Sequence, residues 1–279
     1  MRPRTESSIA DVRWAVFTAI DGTVLDSTTF DPGRNRDAIA RLHEAGVPVI
    51  PMTVMTLDEI APIATELGFR RAMVIEAGAA IARWIDGHWR VEPYGPPAET
   101  MLDVVREIED RADADLIVYS ALPDEEAARV SGRAAEMLQR STRRAFSEPF
   151  LIDRGNLIDV TRAASSLGFS VRRGRRFLHL CRTCDEGEAF ARVRDEIGCQ
   201  FAIGIGGSPV DAEVLSRADV AIVIPPREGS VDPELMARVP RARIASGPAP
   251  EGWASTINDL WPAFATSSPG TQSWTAGPR

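Results

Sequence analysis

Trp14-Ala15-Val16-Phe17-Thr18-Ala19-Ile20-Asp21-Gly22-Thr23 is a short apolar run that stops at Asp-Gly-Thr. A buried parallel strand has such a near-continuous apolar sequence, and the tight turn after it delivers backbone N–H groups and short polar side chains to the sheet's carboxyl end. The run therefore predicts a central parallel strand with a working turn at Asp21-Gly22-Thr23. Outward from it, Asp31-Pro32-Gly33 opens a helical pattern through Ile39, Leu42 and Ala45 that stops at Gly46, a residue suited to the left-handed helix cap. Val47 to Thr53 reads as a second strand whose prolines limit ladder bonding and favour an edge or strand-start position. Leu57 to Leu67 is an amphipathic helix closed by Gly68, and Ala72 to Ile75 is a third strand. This alternation predicts an α/β fold with a doubly wound parallel sheet.

The texture changes after Glu76. Asp86-Gly87 between two apolar-aromatic runs predicts a two-residue hairpin turn leading out of the core, and the stretch to Cys181 mixes short strands with helices. Core texture returns with a helix to Ile197, strand Phe201 to Ile205, helix Pro209 to Arg217, strand Val220 to Ile224, helix Asp232 to Val239, strand Ala242 to Ile244 and helix Glu251 to Phe264. The reading is a discontinuous core of residues 1–86 and 182–265, an inserted α+β domain at 87–181, and a Ser/Thr/Gly/Pro-rich tail at 266–279 expected to be disordered.

With 279 residues and 44% hydrophobic content the chain can bury one large core or two modest ones. No apolar run approaches the roughly 18 residues of a membrane span, and Met1 to Ser8 lacks the apolar stretch of a secretory signal, so a cytoplasmic protein is expected. A formal net charge of −8 argues against nucleic acid or anionic membrane as partner. Cys181 and Cys184 form a C-x-x-C without a second pair, read as two ordinary thiols rather than a zinc or redox site. All 32 basic residues are Arg. No step that needs the compact, pKa-tunable charge of a lysine is available anywhere in the chain.

Four stretches carry a resemblance: Val16 to Thr23; Val74-Ile75-Glu76-Ala77-Gly78-Ala79-Ala80-Ile81; Phe146-Ser147-Glu148-Pro149-Phe150; and Gly174-Arg175-Arg176-Phe177-Leu178-His179-Leu180. In order and spacing they resemble the haloacid dehalogenase-like (HAD) phosphatases, and most of all the mannosyl-3-phosphoglycerate phosphatases, over roughly residues 13–265. The resemblance implies a three-layer HAD-like core with an inserted cap of the C2 type. It also implies a mechanism with a nucleophilic Asp, a second Asp two residues on as acid/base, and a phosphate-holding Ser or Thr after the next strand. A Lys, and Mg²⁺ held by acidic residues of a fourth motif, complete it.

Carried over position by position, the nucleophile falls on Ala19, whose methyl can neither form an aspartyl-phosphate nor ligate a metal. The acid/base position is Asp21, Gly22 and Thr23 complete the turn, and Thr53 takes the phosphate-hydroxyl position with Thr56 nearby. The segment Asp185-Glu186-Gly187 resembles the family's Asp-Lys-Gly, so Glu186 stands where the Lys would be. The fourth motif reads Gly206-Gly207-Ser208-Pro209-Val210-Asp211, with Gly207 at the first metal carboxylate and Asp211 at the other. A carboxylate in place of the Lys inverts a charge, worth about 4 kcal/mol of repulsion between two anions ~4 Å apart at an effective dielectric of 20. Each remaining residue also has a plain structural reading: Asp21 as acceptor for N–H groups of its turn, Asp211 as helix cap, Thr53 as a strand-end hydroxyl. Arg143, Arg144 and Arg154 flank the Ser147 segment, with Arg144 and Arg154 as candidate ligand contacts. The run Arg172 to Arg176 reads as a solvated hairpin tip in preference to an anion site.

Two functions are consistent with this. The first is a pseudophosphatase, needing no cofactor where its relatives use Mg²⁺, that binds a small sugar or sugar-phosphate ligand or a protein partner. The second is an active hydrolase or transferase on a sugar phosphate such as mannosyl-3-phosphoglycerate, with a site rebuilt around Asp21 and Arg182 supplying the cation. Under the first, Ala19→Asp, Glu186→Lys and Gly207→Asp together, and no single change, should restore phosphatase chemistry.

Overall fold

A computed structural model describes residues 12–182 and 186–265 of the chain. Its first half runs β1 (Trp14–Thr18), α1 (Asn35–Glu44), β2 (Val49–Pro51), α2 (Leu57–Leu67), β3 (Ala72–Ile75), β4 (Ala80–Ile85), β5 (His88–Pro93), α3 (Met101–Ala112), β6 (Asp115–Val118), α4 (Asp124–Ser131) and α5 (Ala135–Thr142). It continues through β7 (Ser147–Arg154), α6 (Leu157–Ser166), β8 (Phe169–Arg173), β9 (Leu178–Arg182), α7 (Glu186–Ile197), β10 (Phe201–Gly206), α8 (Ala212–Arg217), β11 (Val220–Val223), α9 (Pro233–Arg238), β12 (Arg243–Ile244) and α10 (Glu251–Ala265). No described helix is long and apolar enough to cross a membrane. Cys184, Asp185 and the tail 266–279 lie outside the described residues, as does most of the N-terminal stretch.

Five parallel strands form the central sheet in the order β12-β11-β10-β1-β2. The apolar run of β1 is explained by burial on both faces. Val16 packs with α1, α2 and α10 through Ile39, Leu42, Ile60 and Trp253, while Ala15 and Phe17 face α7, where Phe17 meets the Phe190 ring at 4.5 Å. Trp253 on α10 is fully buried and donates its indole N–H to Thr18 Oγ1 at 3.0 Å, fixing the last residue of β1. The prolines around β2 act as acceptors: Pro48 O receives Val16 N–H, and β2 stands at the end of the five-stranded ladder.

Beyond β2, a single Met52–Val74 bridge leads to an antiparallel sheet β3-β4-β5. Asp86 and Gly87, at φ 52° and 83°, make its two-residue turn. The hairpin does not carry the chain away as expected: β5 pairs with β4 from His88 to Pro93, so departure toward the next sheet falls after Pro93. That next sheet, β6-β7-β9-β8, is antiparallel. One face packs on α3 and α6 through Met101, Val105, Ile108, Phe150, Val160 and Leu180. Alternation along β7 and β9 turns Pro149 and His179 to the opposite face, over the carboxyl ends of β1, β2 and β10.

Candidate functional site

Between those strand ends and the β6-β7-β9-β8 sheet lies a cavity of about 60 Å³, room for waters or one small oxyanion. From the core it is lined by Ala19 and Asp21 after β1, Thr53 after β2, Glu59 on α2, Glu186 at the start of α7, and Ser208 and Asp211 after β10. Ala19 is held by its N–H to Ile205 O at 2.8 Å, which ties the turn after β1 to β10. Thr53 is buried and its hydroxyl accepts from Met55 N–H at 3.1 Å, leaving its own O–H for the cavity. Asp211 directs Oδ2 to Gly207 N–H, Ser208 N–H and Ser208 Oγ–H at 2.8, 2.8 and 3.0 Å, a capping box over the short turn Pro209–Asp211. Burial pushes the Asp211 carboxyl above its ordinary range against those donors.

Asp21 does not serve its own turn. Thr23 and Leu25 N–H both donate to Ile20 O, and Asp21 Oδ1 has no hydrogen-bond partner. Its Oδ2 lies 3.9 Å from Arg133 Nη2. Burial raises this carboxyl despite the opposing charges of Arg133, Arg176 and Arg175. The reading of Asp21 as a turn acceptor is therefore replaced by a carboxyl presented to the cavity.

Four arginines reach in from the other side. Arg133 follows the α4 break, where Gly132 takes φ 67°, and pairs with the buried Glu59 at 2.9 Å. Arg144 precedes β7 and lies between Glu59 at 3.6 Å and Glu76 at 3.5 Å, while donating to Val54 O and Ser147 Oγ. Arg176 donates to Ser131 O and Ser27 O. Arg175, exposed on its outer side, donates from Nη2 to Gly22 O at 3.1 Å. The run Arg172 to Arg176 is thus no solvated tip. The β8–β9 turn, closed by Gly174 N–H to Phe177 O, projects Arg175 and Arg176 onto the turn after β1.

Glu76 explains a motif whose purpose the sequence leaves open. Fully buried at φ 49°, it accepts from Ala145, Phe146 and Ser147 N–H and from Ser147 Oγ–H at 2.9–3.0 Å. The Glu76-Ala77-Gly78 turn and the Phe146-Ser147-Glu148 segment are two halves of one joint. His179, also buried, is held neutral: burial and then the charges of Arg144 and Arg133 push its pKa down to about 3.

Five candidate positions do not line the cavity: Gly22, Thr23 and Gly207, which belong to the turns beside it, and Thr56 and Arg154. Arg154 sits exposed on β7, paired with Asp115 at 2.7 Å and Asp113 at 2.9 Å, because strand alternation and a β-bulge by Asp115 aim it at solvent. Thr56 caps α2, accepting from Glu59 N–H and donating to Arg140 O. Arg182 is exposed at the end of β9 and does not line the cavity, so it does not supply the cation of the second reading. Glu59 and Arg133 carry no mark in the sequence as site residues, and His179 is marked only as part of the Gly174 to Leu180 stretch. Thr56-x-x-Glu59 is a visible capping-box spacing, but nothing local marks Glu59 as the partner of an arginine 74 residues away.

The Mg²⁺ implied by the resemblance does not fit these donors. Asp211 Oδ2 is committed to three protein donors, Gly207 offers no side chain, and an arginine stands against both Gly207 and Gly22. Among the described residues no group of three or more His, Cys, Asp or Glu is placed to hold a metal ion.

Comparison with known proteins agrees with this architecture. Residues 16–125 match the haloacid dehalogenase-like hydrolase family. The chain is similar to a glucosyl-3-phosphoglycerate/mannosyl-3-phosphoglycerate phosphatase of Persephonella marina, at 24% identity over 260 residues covering 87% of this chain and 95% of the relative. A protein of the same description from Methanococcoides burtonii is also 24% identical, covering 88% and 96%. Among solved structures, a phosphatase of the haloalkanoate (HAD) superfamily from Bacteroides thetaiotaomicron superposes with a TM-score of 0.65 at 15% identity, covering 95% of this chain and 98% of that one. Family match, relatives and fold together show a chain with the haloacid dehalogenase-like fold that is similar to the haloacid dehalogenase-like hydrolases and, among them, to the mannosyl-3-phosphoglycerate phosphatases.

Proposed function

We propose that the chain binds the phosphate end of a small sugar-phosphate-type metabolite in the cavity between its parallel sheet and the β8–β9 turn, without hydrolysing it. The observation that carries this reading is Ala19. It lines the cavity at the position where the resemblance calls for the attacking carboxylate, and a methyl group offers no electron pair to phosphorus. Binding is supported by the four arginines at the cavity, since guanidinium forks match phosphate oxygens and stay charged at any working pH. Asp21 favours a second reading. Its partnerless Oδ1 and raised pKa suit a general acid or base acting on a rebuilt site.

The test is phosphate release from mannosyl-3-phosphoglycerate and from generic phosphomonoesters in Mg²⁺ buffer, alongside calorimetric titration of the same compounds. Binding without release above the no-enzyme control is expected. Release that Asp21→Asn abolishes would overturn the proposal in favour of the second reading.

A further inference from the structure

The four cavity arginines are not equivalent. Arg133 is matched to Glu59, Arg144 to Glu59 and Glu76, and Arg176 to two backbone carbonyls. Arg175 makes one hydrogen bond among the described residues, to Gly22 O, and its outer side is open to solvent. Its guanidinium is lodged where two glycines leave space. A Cβ placed on Gly22 would lie 2.6 Å from Arg175 Nε, and one placed on Gly207 would lie 2.7 Å from Arg175 Nη2. Gly22 needs to be glycine for its turn as well, at φ 66°. Gly207 has no such backbone demand, so among its neighbours the guanidinium and the Ile224 carbonyl, 2.8 Å from that Cβ, are what a side chain would displace.

Gly207 is the position to which the resemblance assigns the first metal carboxylate, and the remaining carboxylate, Asp211, is spent on capping. An arginine thus fills the corner whose donors do not fit Mg²⁺. We propose that Arg175 takes the place of the divalent cation, so that the cavity receives a phosphate-type oxyanion with no metal at all. This rests on the proposed binding function. The other guanidinium donors supply two-pronged hydrogen bonds to phosphate oxygens, and the cation arrives with the fold rather than by occupancy.

The experiment is calorimetric titration of the full chain with inorganic phosphate, in EDTA and in saturating Mg²⁺, for wild type, Arg175→Gln and Arg182→Gln. Wild type should bind with the same affinity, within twofold, in both buffers; Arg175→Gln should weaken binding at least tenfold in both, and the exposed Arg182→Gln should leave it unchanged. Arg175 is a solvent-facing turn residue, and matching circular dichroism will show that its variant folds. Binding only in Mg²⁺ would overturn the substitution while leaving the binding function intact, and so would binding in EDTA that Arg175→Gln does not change. No binding in either buffer would remove the binding function itself and the inference with it.

Discussion

Replacing Glu76 by Ala should destabilise the protein by roughly 4–6 kcal/mol. Glu76 is fully buried and accepts four hydrogen bonds, three from consecutive backbone N–H groups of residues 145–147 and one from Ser147 Oγ. The backbone donors left unpaired cost about 1–3 kcal/mol each where water cannot reach them, discounted for local relaxation. The Arg144 guanidinium, 4% exposed, loses one of its two carboxylates, a type of loss worth about 3–5 kcal/mol when a buried charge is wholly stranded and less here because Glu59 remains at 3.6 Å. Against a typical total of about 5–15 kcal/mol, the variant should unfold at a much lower urea concentration. Glu76→Gln keeps one carbonyl acceptor and most of the shape, and should lose about half as much. Equilibrium urea unfolding at pH 7, followed by circular dichroism and tryptophan fluorescence, measures both. A loss below about 1.5 kcal/mol for Glu76→Ala would refute the joint between the Glu76 turn and the Phe146-Ser147-Glu148 segment as a structural keystone.

The raised pKa of Asp21 means the folded protein holds a proton that the unfolded chain releases near pH 4, so this carboxyl's favourable contribution is full below that pH and is lost as pH rises through its folded value. Asp21→Asn should therefore raise the melting temperature at pH 7 by about 2–4 °C and give no advantage below about pH 4; a lower melting temperature at pH 7 would sink the argument. His179 runs the opposite way: pushed down to about 3, it contributes stability in full above its unfolded pKa of about 6.5 and loses it as pH falls toward 3. The difference in urea midpoint between wild type and His179→Leu should accordingly shift in favour of the variant from pH 7 to pH 4.5, and a pH-independent difference would contradict a neutral buried imidazole. The three-residue restoration expected from the sequence, Ala19→Asp, Glu186→Lys and Gly207→Asp, should instead stay inactive, because a Cβ at 207 meets Arg175 Nη2 at 2.7 Å and the Ile224 carbonyl at 2.8 Å; adding Arg175→Gly removes the first contact and, with a small shift of the carbonyl, should produce Mg²⁺-dependent phosphate release. Equal activity with and without the fourth change would show that Arg175 yields freely.

What was legible in the sequence was what short stretches decide. The doubly buried β1 announces itself because both its faces meet apolar layers, and Asp86-Gly87 because few dipeptides accept two positive φ angles in succession. The strand-end residues Ala19, Asp21, Thr53 and Asp211 are placed by the resemblance, position by position, and all four line the cavity. Apart from Arg144, a candidate from its place beside the Ser147 segment, the electrostatic lining could not be read this way. Arg144 reaches Val54 across 90 residues, Arg176 reaches Ser27 across 149 and Arg175 reaches Gly22 across 153. Charge at a turn between Gly174 and Phe177 reads as solvation unless one knows which surface the turn faces. Arg154 failed for the converse reason, since proximity in sequence to Ser147 says nothing about which side of β7 a residue occupies.

The absence of lysine does not by itself account for the cations at this site. A composition that merely exchanges Lys for Arg would leave Arg at position 186, where the resemblance calls for Lys, and the residue there is Glu. The positive charge enters instead from the β8–β9 turn, against a glycine at 207 that has no conformational need to be glycine. Gly207 leaves room for both the guanidinium and the Ile224 carbonyl, since a Cβ there would lie 2.7 Å from Arg175 Nη2 and 2.8 Å from Ile224 O, and the Arg175 charge joins those of Arg133 and Arg176 in opposing the burial of Asp21 and adds to the capping bonds in opposing that of Asp211. Asp211 remains useful with or without that charge because its capping bonds are made to backbone N–H groups of its own turn. The corner is therefore organised around a cation that belongs to the chain, and its strength depends on the position of one turn rather than on the supply of metal.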